Sequence, residues 1–181
     1  MSAGYTIVKS NVECYKVRHP KSFYWADITL DHNGNKGRIS IASDFGDYQY
    51  YWGACGKPFK EFLCKIGIDY AAGKFGADRW FDLELTIKGY KETVLDYRRT
   101  ESIEAYEARK LFDEIKQLED SSSESEFCNI IQHQENLMRF FDYCPNLSKS
   151  ISPRFRNFWK EIWPVFIQEM KNEISVDALT N

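Results

Sequence analysis

FYWADITLDHNGNKGRISIASD, residues 23–44, is two runs of alternating apolar and polar side chains around Asn33-Gly34. Alternation with period two is the mark of a half-buried strand, and Asn-Gly suits a type I′ turn because both of its central residues need a positive φ. The stretch therefore predicts a β-hairpin. A two-residue turn at Asn33-Gly34 pairs Leu30 with Gly37, Ile28 with Ile39 and Ala26 with Ile41, which gathers those apolar side chains on one face. The other face then shows Trp25, Asp27, Thr29, Arg38, Ser40 and Ala42, with Asp27 diagonal to Arg38 and able to pair with it.

Outward from the hairpin, residues 5–18 (YTIVKSNVECYKVR) are rich in Val, Ile, Tyr and Thr and predict a strand interrupted near Ser10 and Asn11. On the other side YQYYW, Tyr48 to Trp52, follows the turn residues Asp44 to Asp47 and completes a meander by Gly53. The period then changes. Phe59, Phe62, Leu63, Ile66 and Tyr70 recur at helical spacing behind Pro58, in a helix that ends between Gly73 and Gly76 and covers the sheet. Trp80, Leu83, Ile87, Tyr90, Val94 and Tyr97 predict a second helix over 78–98. Thr100 is the expected N-cap of a third, carrying Ile103, Tyr106, Leu111, Phe112, Ile115 and Leu118. EDSSSESE, 119–126, reads as an exposed connection to a fourth helix from Phe127 to Phe141. Ser152-Pro153 starts the last helix, which Pro164 should kink near Trp163.

The expectation is an α+β fold, with an N-terminal antiparallel β-meander of three to four strands packed against about five following helices. It is read as one domain over 1–181, with the meander in 1–53, the helical part in 54–173 and a frayed tail in 174–181.

Formal net charge is −3, which gives no footprint for duplex nucleic acid, whose affinity comes from Lys and Arg neutralising phosphates. Direct nucleic-acid binding is accordingly not expected. Residues 1–76 carry ten basic and seven acidic side chains, net +3, and 77–181 carry fourteen and twenty, net −6. The acidic helical part could suit a basic partner, although a solvated surface is the plain reading. The start of the chain shows no signal-peptide pattern, and no run approaches the roughly 18 apolar residues of a membrane span. Cys14, Cys55, Cys64, Cys128 and Cys144 are an odd set without CxxC spacing, as expected of reduced thiols in a cytoplasm.

Visible chemistry is sparse. Asp44-Phe45-Gly46 matches the metal-holding triplet of protein kinases but lacks every other kinase motif, so it reads as a turn. His19, His32 and His133 stand apart from any nucleophile signature, and Cys128 and His133 fall on different helix faces. Asp27, Asp31, Asp44 and Asp47 lie along the meander, where clustered acids could hold Mg²⁺ or Mn²⁺ for a metal-dependent or nucleotide-handling enzyme. Residue types alone imply no cofactor, no resident metal and no catalytic group. The aromatic surplus is the unusual feature: 16% of residues, with Trp25, Tyr48, Tyr50, Tyr51 and Trp52 on the meander. Those rings either pack under the helices or form a recognition patch. With Arg38, Lys36 and Lys57 they could also stack single-stranded bases.

The run ISIASDFGDYQYYWGACGKPFKEFLCKIGIDYAAGKFG, 39–76, resembles small uncharacterised proteins of tailed bacteriophages and prophages, in which a D-[FY]-G-x-[YW]-x-x-[YW]-W-like strand precedes an F-x-x-F-L helix and a G-K-[FL]-G-like end. FWKEIWPVF, 158–166, adds a weaker match. The resemblance supplies no catalytic residues. It implies a non-enzymatic protein, working in the cytoplasm of a bacterial host, that binds and blocks a host protein such as a CRISPR-type ribonucleoprotein effector. Candidate contact residues are Trp25, Asp27, Arg38, Tyr48, Tyr50 and Trp52 on the meander, with Glu119, Asp120, Glu124 and Glu126 on the acidic part; a homodimer is left open.

Overall fold

A computed structural model describes residues 4–180. The predicted meander is present as four antiparallel strands in sequence order: β1 (Glu13–Arg18), β2 (Trp25–Asn33), β3 (Lys36–Ser43) and β4 (Tyr48–Trp52). The hairpin turns one residue later than expected, at Gly34-Asn35. Leu30 therefore faces Ile39, Ile28 faces Ile41 and His32 faces Gly37. Gly34 has φ 62° while Asn35 is not among the positive-φ residues, the pattern of a type II′ turn with Gly in its first central position. Both turn carbonyls are used, that of Gly34 accepting from the Phe59 amide (3.0 Å) and that of Asn35 from the Cys55 amide (2.7 Å). Because the register moved by two residues and not one, every side chain kept its predicted face. Ala26, Ile28, Leu30, Ile39 and Ile41 are buried, and Trp25, Asp27, Thr29, Arg38, Ser40 and Ala42 lie opposite.

The chain folds as two compact units, the first taking in everything up to Asp78 together with the chain from Ile151 onward. In this unit the apolar sheet face is covered by α1 (Phe59–Leu63), α2 (Ile68–Phe75), α7 (Pro153–Glu161) and α8 (Trp163–Thr180). One helix was expected over the α1–α2 stretch. Gly67 divides it, because its extended backbone (φ −95°, ψ 166°) makes it the N-cap of α2. Ser152 caps α7 as predicted, its hydroxyl accepting from the Phe155 amide at 3.3 Å, with Pro153 in the first turn. The expected kink is a full break at Ile162 (φ −102°, ψ −49°), after which Pro164, lacking an amide hydrogen, fits the first turn of α8. That helix runs to Thr180. Phe59, Leu63, Phe155, Phe158, Phe166 and Met170 are essentially fully buried against the sheet, each worth roughly 1.5–3 kcal/mol of apolar transfer.

The second unit is Arg79–Ser150. It opens with a strand, β5 (Arg79–Phe81), where sequence periodicity had placed Trp80 in a helix. This strand pairs with β6 (Lys149–Ile151), a three-residue strand too short to leave a pattern in the sequence. Asp82 caps α3 (Leu83–Arg99), accepting from the Leu85 amide at 3.0 Å. Thr100 ends this helix and does not start the next. The N-cap of α4 (Ala105–Leu118) is Glu104, whose amide donates to the Glu107 carboxylate at 2.7 Å. The Ser-rich stretch is a structured start of α5 (Glu124–Ile131), with Ser121 buried and Ser123 as N-cap. The expected fourth helix is divided at 132–134, and α6 (Glu135–Phe140) begins under a cap from α4: the Glu114 carboxylate accepts from the Leu137 amide at 2.8 Å and from Asn136. Ile87, Tyr90, Val94, Leu111, Ile115, Leu118, Phe127 and Leu137 form a core of this unit's own. No helix among the described residues is long and apolar enough to cross a membrane.

Candidate functional site

The first unit leaves one face of its sheet to solvent. Strand alternation brings Lys16 and Arg18 from β1, Trp25, Asp27, Thr29 and Asp31 from β2, Lys36, Arg38 and Ser40 from β3, and Gln49 and Tyr51 from β4 to that side. Its ordered centre is Arg18. One guanidinium nitrogen meets Asp27 Oδ1 at 2.6 Å, the other donates to the Ala26 carbonyl at 3.0 Å, and the group lies 5.5 Å from the Trp25 ring centre. An ion pair, a backbone bond and a ring thus hold the guanidinium from three sides. The expected pairing of Asp27 with Arg38 is replaced by this one, since β1 places Arg18 beside Trp25 and Lys16 opposite Asp27. Arg38 instead faces Asp31 and Tyr51 across its two neighbouring strands.

At the same end of the face, the loop from His19 to Tyr24 is braced from inside. His19 Nδ1 accepts from the amides of Lys21 (3.1 Å) and Ser22 (2.8 Å), the His19 amide donates to the Tyr24 carbonyl (2.9 Å), and the Tyr24 ring packs on Phe45 at 5.0 Å. This loop holds Phe23 out at 99% exposure. Sequence reasoning counted Phe23 into the first alternating run and did not single it out; the available signal was three aromatic residues in succession, Phe23 to Trp25, close behind His19-Pro20.

The remaining predicted contact residues lie elsewhere. Tyr48, Tyr50 and Trp52 pair with Ile41, Ile39 and Gly37 and so share the core face. Tyr48 donates to the Phe45 carbonyl at 2.6 Å among Phe75, Phe155 and Phe158, and Trp52 Nε1 donates to the Tyr70 hydroxyl at 2.9 Å. Tyr51 is the β4 aromatic on the open side, 52% exposed. Glu119, Asp120, Glu124 and Glu126 belong to the second unit, where three of them have local work. Glu119 pairs with Lys91 at 2.6 Å, Glu124 with Lys149 at 3.4 Å, and Glu126 accepts from the Ser122 amide and hydroxyl, which hold its pKa below the ordinary value. The meander acids do not converge either: Asp27 is paired with Arg18, Asp44 accepts from the Trp25 amide, and no metal-holding group of three side chains forms among the described residues. Lys36 and Arg38 are exposed on β3, while Lys57 is half-buried ahead of α1.

An unpredicted ionic cluster ties the edge of the sheet to its helices. Lys60 Nζ on α1 stands 2.6 Å from Glu13 on β1 and 2.7 Å from Glu173 on α8; the Tyr15 hydroxyl lies 2.6 and 2.8 Å from the same two carboxylates. His32 Nε2 adds a contact to Glu13 at 3.2 Å. Burial alone would lower the Lys60 pKa, but its bonds to Glu13, Glu173 and Tyr15 outweigh that and raise it. Burial likewise pushes Glu13 upward and is overcome by Lys60, Tyr15 and His32, which leave its pKa lowered. Burial and the two carboxylates raise the Tyr15 phenol. The cluster counts two carboxylates against one ammonium.

The open sheet face of the first unit thus carries a braced guanidinium beside a loop with an exposed aromatic ring. Residues 5–172 match the model of a phage family, Phage_phiTE_072, and the chain belongs to that family. No curated protein and no solved structure matches it.

Proposed function

We propose that this phage protein is not an enzyme but a binding protein that acts in the cytoplasm of the infected bacterium, where it inhibits or modulates a host protein through the open sheet face and the 19–24 loop. The observation that carries this reading is Phe23, presented fully exposed by a loop that is itself hydrogen-bonded, next to the fixed Arg18–Trp25–Asp27 group. An exposed aromatic anchor beside a pre-ordered arginine is the composition of interface hot spots, because neither group loses much freedom on binding. Family membership supports a host protein as partner, and the free thiols suit a reducing compartment. A defence effector of the CRISPR type is the partner class we favour, on the strength of the phage family; the acidic second unit, net −5 over residues 79–150, offers a further surface to the basic groove of such a ribonucleoprotein.

The test compares the wild-type chain with Phe23→Ser/Trp25→Ala in affinity capture from host lysate and in phage plating on defended cells. The variant should unfold at the wild-type temperature while losing both the captured protein and the plating advantage. Equal capture and equal plating by the two chains would end the reading. The same face carries Lys16, Arg18, Lys36 and Arg38 against Asp27 and Asp31, with Trp25 and Tyr51 among them, and this favours single-stranded nucleic acid as the second reading. Filter binding over a salt series separates the two, since phosphate contacts weaken steeply with salt.

A further inference from the structure

Residues 5–12 run ahead of β1 outside every strand of the structure, and all eight are exposed, with Tyr5 at 89%, Ile7 at 96% and Val8 at 81%. An apolar, strand-forming arm continuous with an edge strand is a template for another chain unless something covers it. We propose that what covers it is a second copy of this chain, its residues 5–17 laid antiparallel against the same residues of the first, to give one sheet running through a two-fold axis.

One register of the arm makes it self-complementary. With Asn11 on the axis, Lys9 falls opposite Glu13 of the other copy, Ile7 opposite Tyr15 and Tyr5 opposite Val17. All of these are odd-numbered, and Glu13, Tyr15 and Val17 share the core face of β1 through their pairing with Leu30, Ile28 and Ala26. The arm of one copy thus brings Tyr5 and Ile7 to the rim of the other's core, where Tyr15 and Val17 are only half-buried. Moving the axis to Ser10 sets Ile7 against Glu13, and moving it to Val12 sets Lys9 against Tyr15, so each neighbouring register loses the charge match. A second observation points the same way. The cluster at this edge holds the Glu13 and Glu173 carboxylates around one ammonium, Lys60, with the His32 imidazole against Glu13, and Lys9 of the other copy supplies a second ammonium on the face where that cluster lies. The contact is isologous, so it closes on itself and builds a dimer, not a fibre.

Sedimentation equilibrium of the full chain should give twice the 21.3 kDa mass of one chain, and Ile7→Asp should bring it back to one while keeping the helical circular dichroism signal and the unfolding temperature of the monomeric core. Register is read by disulfide trapping with the exposed Cys14 and Cys144 changed to Ser. Asn11→Cys, on the axis, should cross-link to a dimer under mild oxidation, while Lys9→Cys, whose copies stand four residues out of register, should not. A wild-type chain that stays monomeric at every loading concentration, or a dimer that persists in Ile7→Asp, overturns the proposal. Cross-linking of Lys9→Cys as fast as Asn11→Cys overturns the register.

Discussion

Gly37 shows how one residue sets the approach of helix to sheet. A Cβ there would stand 2.7 Å from the His32 Cβ and 2.8 Å from the Phe59 ring, which is buried and stacks on His32 with centres 5.7 Å apart. Only a residue without a side chain lets Phe59 lie on the strand. Gly37→Ala should therefore cost about 1–3 kcal/mol in urea unfolding, the range for overpacking a tight core. Lys60 governs a second residue-scale effect, on pH. Glu13 has a folded pKa below its ordinary 4.5, so its stabilisation is present above 4.5 and fades as pH falls through the lower folded value. Lys60 has one above 10.5, so its share is complete below 10.5 and fades as pH rises through the higher folded value. Between those limits Lys60→Met should lose about 1 kcal/mol, kept small because the Glu13 side chain is 44% exposed and screened. Below pH 4.5 the deficit should shrink, since protonation of Glu13 removes a charge that Lys60 answers; urea titrations at pH 7 and pH 4 read both.

At the scale of elements, the sequence disclosed whatever a period or a local cap encodes. The β2–β3 alternation fixed both faces of the sheet even with its turn misplaced by one residue, because a two-residue register shift preserves side. Ser152-Pro153 and Pro164 marked the ends of α7 and α8 through chemistry contained in two residues. What stayed hidden depends on partners distant in the chain. Trp80 belongs to a strand only because β6 returns some 70 residues later, and Tyr48, Tyr50 and Trp52 turn inward because of where β4 meets β3, which their own alternation leaves undecided. The candidate site was half legible for the same reason. Trp25, Asp27 and Arg38 follow from strand parity, whereas the Arg18 contact and the bracing of Phe23 need β1 and a loop whose shape the sequence does not state. Glu114 is the clearest hidden cap, because it serves α6 from α4. A six-residue helix cannot stand on its own backbone bonds. Glu114→Ala should cost about 1–2 kcal/mol, as losing an N-cap does, and Glu114→Gln, which keeps an acceptor, should cost less; thermal unfolding of the two variants checks the order.

For the whole molecule, the decisive fact is that each unit has its own core while the chain of the first is interrupted by the second. Residues 79–150 leave and return side by side, with the Asp82 amide bonded to the Ser148 carbonyl at 3.0 Å and β5 paired with β6. Folded, that excursion holds the two parts of the first unit close together at no entropic cost to it. Unfolded, it becomes a closed loop of roughly 70 residues, and keeping the ends of such a loop together costs about 4 kcal/mol. The coupling is reciprocal, so opening either unit as a whole weakens the other by that amount, whereas local openings within one leave the other untouched. Ile115→Ala, which empties a fully buried site in the second core, should cost about 2–5 kcal/mol there. In native-state hydrogen exchange the amides of α3 and α4 should then exchange at least about tenfold faster, as their protection is set by opening of their own core. Amides of β2 and β3 should keep their wild-type rates under the same conditions. Equal acceleration in all four elements would mean that the two cores open as one, and that the interruption of the first unit makes the chain a single cooperative body.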